Sequence, residues 1–134
     1  MQQNIVTAFL TALFALALSA ITALGQTSPP CVAPPPPANL TVTGVSTNSI
    51  SLSWALSGPY NPSYRIDVKD ITAGGFMYPP LYTNTLQYTV GGLLPGHLHE
   101  FKVYAYYYLS CPLSSPAIIN QATATFIVED IVSY

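Results

Sequence analysis

"YTVGGLLPGHLHEFKVYA", residues 88–105, holds the tightest pattern in the chain. In its second half His99, Phe101, Val103 and Ala105 alternate with Glu100, Lys102 and Tyr104, a period of two that marks a strand with one face on a core. Upstream, Tyr88, Val90 and Leu93 form the inward set of another short run, and Pro95-Gly96 supplies the turn between the two. The alternation runs on through Tyr106 and Tyr108. Three tyrosines, Tyr104, Tyr106 and Tyr108, are therefore expected on the face opposite Phe101 and Val103, with Tyr107 toward the core edge.

The same signature repeats on both sides. "ANLTVTGV" (38–45) sets Leu40 and Val42 inward, and "SISLSWAL" (49–56) does the same for Ile50, Leu52 and Trp54, with the hydroxyl-rich "STNS" as the turn between them. "SYRIDVKD" (63–70) separates Tyr64, Ile66 and Val68 from Arg65, Asp67 and Lys69. "FMYPPLY" (76–82) reads as one poorly formed strand that Pro79 and Pro80 confine to a sheet edge. "PAIINQATAT" (116–125) completes seven strands, an all-β antiparallel sandwich with no helix-period stretch of useful length.

From "PPANLTVTGVSTNSISLSW", "YRIDV" and above all "YTVGGLLPGHLHEFKVYA", the chain resembles the fibronectin type III family over about residues 35–125. Leu93, Pro95, Gly96, Phe101, Val103 and Ala105 fall in the family's register. The resemblance implies an immunoglobulin-like β-sandwich over residues 38–125 that serves as a non-catalytic scaffold for protein or glycan contacts. His99 stands where the family usually has a corner tyrosine. It is expected as a buried replacement whose protonation is costly.

The chain has two cysteines, Cys31 and Cys111. An even count in an oxidising compartment suggests a disulfide. In a fibronectin-like sandwich the N-terminal end and the loop between the sixth and seventh strands share a pole, so these two are expected to pair. The fold likewise carries the tyrosines, with Arg65, Asp67, Lys69 and Lys102, onto the outer surface of the sheet built from the third, sixth and seventh strands. Tyrosine fits a half-buried pleat without any further role. Three in sequence are also a composition favoured at contact surfaces, and the face is taken as the candidate binding site.

Composition narrows the remaining classes. Only 6% of residues are charged, and three basic side chains leave no cationic stripe for nucleic acid. No catalytic, cofactor or metal constellation is expected. His97 and His99 lie at the pole opposite Cys111, "HLH" lacks a third ligand, and Asp67, Asp70, Glu100, Glu129 and Asp130 are scattered.

Residues 1–25 read as a signal peptide cleaved after Gly25, with an apolar run from Ile5 to Leu24 that leads into "TALGQ" (22–26). The run lacks basic residues before it and is long enough to cross a bilayer, so a retained membrane anchor is the alternative. Residues 26–37 read as a stiff proline-rich spacer, and residues 126–134, "FIVEDIVSY", as a β-prone extension. "NLT" at Asn39 matches an N-glycosylation acceptor, whereas Pro62 removes "NPS" at Asn61. The expected protein is a secreted or cell-surface binding or adhesion module. The alternatives are a structural subunit that self-associates through its tyrosine face or C-terminal strand, and a spacer or accessory domain of a secreted enzyme.

Overall fold

The computed structural model describes residues 28–126. The signal-peptide reading of residues 1–25 and the extension beyond Phe126 fall outside the described residues.

Every described element is a strand. In chain order they are β1 (Ala38–Val45), β2 (Ile50–Ala55), β3 (Ser63–Asp70), β4 (Phe76–Met77), β5 (Leu81–Thr83), β6 (Gln87–Val90), β7 (Leu98–Tyr106) and β8 (Ala117–Ala122). One sheet has the order β1-β2-β6. The other has the order β4-β3-β7-β8, with β5 also paired to β3. "FMYPPLY" is two elements, not one. Proline has no N–H for the ladder, so Pro79 and Pro80 divide the run into β4 and β5, which dock one after the other along the same edge of β3. Counted as one interrupted edge strand, they leave seven.

The core follows strand parity. Ile50, Leu52 and Trp54 from β2 meet Tyr64, Ile66 and Val68 from β3 and Phe101, Val103 and Ala105 from β7, with Val90 and Leu93, all buried. Leu40, Val42 and Tyr88 pack around this cluster half-buried. Each fully buried aliphatic or aromatic side chain contributes roughly 1.5–3 kcal/mol, so the alternation visible in sequence is the main source of stability. The Trp54 and Tyr64 rings meet edge to face at 5.2 Å.

Turn chemistry sets the registers. Ser46 Oγ accepts from the N–H groups of Asn48 (3.2 Å) and Ser49 (2.9 Å), closing the β1–β2 hairpin. Before β7, Gly96 has φ 72°, and a Cβ there would sit 2.9 Å from Thr125 Cγ2. Glycine alone meets both demands.

The proline-rich stretch is fastened down from Cys31 onward. Cys31 and Cys111 form a disulfide with their Cα atoms 5.2 Å apart. Pro34 and Pro37 are buried, and the Ser57 hydroxyl donates to the Pro36 carbonyl. Residues 31–37 therefore pack on the sandwich and are not a free spacer.

Candidate binding face

β3 and β7 pair over their whole length, setting Arg65 opposite Tyr104, Asp67 opposite Lys102 and Lys69 opposite Glu100. Because Ile66, Val68, Phe101 and Val103 point inward, pleat alternation sends these six side chains to the outer surface. All three basic residues of the chain stand here, and β1, β2, β5, β6 and β8 carry no charged side chain.

The charges are largely answered from within the face. Arg65 grips Asp67 through two parallel bonds, Nε to Oδ1 at 2.8 Å and Nη2 to Oδ2 at 3.0 Å. Lys102 Nζ lies 3.7 Å from Glu100 Oε1. Held by Asp67, the Arg65 guanidinium also lies over the Tyr104 ring, 5.9 Å from its centroid. β5 brings Tyr82 in on the other side of Arg65, half exposed.

The expected ribbon of three tyrosines is not what forms. Tyr104 stands on the face as expected. Tyr106 has the outward parity, yet only 9% of it is exposed, and Tyr82 stands edge-on to it with ring centroids 6.3 Å apart. Tyr108 is exposed but off the strand. β7 ends at Tyr106, and the Cys111 N–H closes a turn onto the Tyr108 carbonyl at 3.0 Å so that Cys111 can reach Cys31. Parity predicts a face only while the chain stays extended, and here it does not. Tyr107 packs edge to face on Tyr60 at 5.7 Å. The surface aromatic cluster is thus Tyr82 and Tyr104, with Tyr106 beneath.

A second polar group lies at the opposite end of β3. Asp70, expected to be one of several scattered carboxylates, is buried, and its parity with Ile66 and Val68 is the signal that foretells this. Its Oδ1 accepts from the Ala73 N–H at 2.9 Å, and its Oδ2 lies 2.8 Å from His97 Nδ1 and 3.6 Å from His99 Nε2. His99 is fully buried and neither ring nitrogen has a hydrogen-bond partner. Burial pushes the His99 imidazole below its ordinary pKa, with the Asp70 charge offsetting part of that. Burial alone would raise the Asp70 carboxyl. The Ala73 N–H and the two histidines outweigh burial and hold it below the usual carboxylate range. Among the described residues no group of three His, Cys, Asp or Glu side chains could hold a metal ion.

The profile of the fibronectin type III domain matches residues 35–119. The chain belongs to the fibronectin type III family. Solved fibronectin type III structures agree. The domain of human collagen alpha-1(XX) superposes with TM-score 0.59 at 22% identity, over 75% of this chain and 91% of that one. The domain of human fibronectin type III domain containing protein 3 gives 0.56 at 26%, over 70% and 89%. Domains d3-d4 of the rat CD45 extracellular region give 0.57 at 26%. That match covers 68% of this chain but half of the CD45 fragment. No curated protein sequence matches the chain. Fibronectin type III domains are generally non-catalytic and in extracellular proteins commonly mediate binding or act as spacers, which is the level at which the family speaks to function.

Proposed function

We propose that this fibronectin type III domain is a secreted or cell-surface, non-catalytic binding module, and that its contact surface is the outer face of the β3–β7 sheet. The surface is centred on Arg65, Tyr82 and Tyr104 and rimmed by Asp67, Lys69, Glu100 and Lys102. The observation that carries the reading is the clustering of every basic residue of a charge-poor chain beside two surface tyrosines on one sheet face. Aromatic and guanidinium groups held by neighbours lose little conformational entropy on contact, which is why they recur at interface centres. The Cys31–Cys111 disulfide and the likeness to part of the CD45 extracellular region support an oxidising, extracellular setting.

The partner class is a protein or a glycan. Tyrosine rings stack on sugar faces or apolar side chains, and the bidentate Arg65–Asp67 pair offers both donors and acceptors at their edge. Capture from native extracellular material by wild type beside a Tyr82→Ser, Tyr104→Ser double variant tests the surface. Loss of capture with folding intact supports it, and equal capture removes it.

A further inference from the structure

Each sheet of the sandwich has two edges, and an unpaired edge invites another strand unless something blunts it. Three of the edges are blunted. β1 breaks register between Ala38 and Thr41 and again between Val42 and Gly44, and Asn39 has φ 53°. β6 is only four residues long. β4 and β5, of two and three residues, are split by Pro79 and Pro80.

β8 differs from all of these. It pairs with β7 without a register shift from Leu98↔Ala122 to Val103↔Ala117, and it contains neither proline nor charge. Alternation of the antiparallel ladder identifies which of its backbone groups have no ladder partner among the described residues. The Thr123 N–H donates to the His97 carbonyl, so the bonded pairs recur at Gln121, Ile119 and Ala117, and Ile118, Asn120 and Ala122 point their N–H and C=O groups away from β7. The Gln121 side chain donates to the Ala122 carbonyl at 3.0 Å, leaving the groups of Ile118 and Asn120 facing outward. The Ile118 side chain is 55% exposed on the outer face beside them.

We infer that β8 pairs antiparallel with β8 of a second copy of this chain, joining two five-stranded sheets into one. A two-fold axis at Ile119, perpendicular to the sheet, sets Ile118 opposite Asn120 of the other copy and uses the outward N–H and C=O of both residues. It also keeps inner faces with inner faces, because the paired residues share parity. A second copy suits this edge because nothing on it repels itself. β8 is uncharged, and the nearest charges among the described residues, Lys102 and Glu100, already neutralise each other on β7. In the pair they stand roughly three strand spacings, or 14 Å, from their equivalents, beyond the roughly 8 Å screening length of physiological salt. A single strand pairing buries little area, so the association is weak and concentration-dependent. The same axis puts both Tyr82–Tyr104 clusters on one side of the joined sheet, presenting them bivalently.

Sedimentation equilibrium of the full chain over a wide concentration series tests this, together with amide exchange at Ile118 and Asn120. Wild type is expected to rise from monomer toward twice its mass, with exchange at both amides slowing as concentration rises. Ile118→Lys adds like charges at the seam without touching the core, and Asn120→Pro deletes an outward N–H without touching the β7 ladder. Both stay monomeric with unchanged circular dichroism. The Tyr82→Ser, Tyr104→Ser variant and a chain ending at Phe126 dimerise as wild type does, which separates the edge from the tyrosine face and from residues 127–134. A flat monomer mass in wild type, dimers undiminished in Ile118→Lys or Asn120→Pro, or dimers lost on removing 127–134 overturns the inference.

Discussion

The Arg65 guanidinium sits 5.9 Å from the centroid of the Tyr104 ring while its Nε and Nη2 donate to the Asp67 carboxylate. The arrangement orders two large side chains on a sheet surface without adding much to stability. A partly exposed ion pair contributes about 1 kcal/mol or less, and an exposed cation–π contact about 0.5–1 kcal/mol.

Unfolding in urea should therefore separate the tyrosines by depth. Tyr104→Ser and Tyr82→Ser are each expected to lower stability by about 1 kcal/mol, within the range of β propensity and surface contacts. Tyr106→Ser, which empties a buried site beside Tyr82, should cost about 3 kcal/mol. Equal losses at Tyr104 and Tyr106 would contradict the assigned depths.

Acid should weaken the fold in two windows. The His99 pKa is depressed in the folded state, so the stability linked to its neutral form is fully present above the unfolded value near 6.5 and declines as pH falls below it. Asp70 is depressed as well, and its contribution is lost at lower pH, from about 4 downward. The groups facing His99 are Asp70 from β3, His97 on the approach to β7, the Tyr78 ring after β4 and the uncharged Phe101 on its own strand. Melting temperature is expected to hold from about pH 9 to 7 and to fall as pH drops below about 6.5. His99→Phe should remove most of that first fall, and an unchanged profile in His99→Phe would assign it elsewhere.

Reduction of the disulfide breaks no packing contact but frees the unfolded chain. With a sequence separation of 80 between Cys31 and Cys111, the chain-entropy description gives a loss of up to about 4–5 kcal/mol for Cys31→Ser with Cys111→Ser. Denaturant midpoints with and without reductant should move together with that double variant. No shift in either would mean that Pro34 and Pro37 hold the N-terminal stretch unaided.

Two glycines between β6 and β7, Gly91 and Gly96, should respond oppositely. Gly96→Ala meets both a left-handed backbone and Thr125 and is expected to cost more than about 1 kcal/mol. Gly91→Ala meets nothing within 4 Å and has no positive φ, so it should be neutral or stabilising by about 0.5 kcal/mol. Thermal unfolding of the two single variants distinguishes them.

Strand parity makes the core legible in the sequence. Ile50, Leu52, Trp54, Tyr64, Ile66, Phe101 and Val103 are buried because alternation on a pleat leaves them no other side, and His99 follows the same rule despite its polarity. What parity does not reveal depends on where strands stop and on what other strands bring. Tyr108 loses its parity to the turn that delivers Cys111, and Tyr106 is covered by Tyr82 from a strand of three residues, too short to show a period. Asp70 is within reach of the same rule once the β3 alternation is extended to its last residue.

The most direct test of the proposed contact surface is quantitative capture from native extracellular material, comparing immobilised wild type with the Tyr82→Ser, Tyr104→Ser variant after confirming that both melt cooperatively. A protein or glycan retained by wild type and reduced at least about tenfold on the variant, the consequence of losing about 1.4 kcal/mol of contact, is the predicted result. Recovery of the same species in equal amount on both would contradict it.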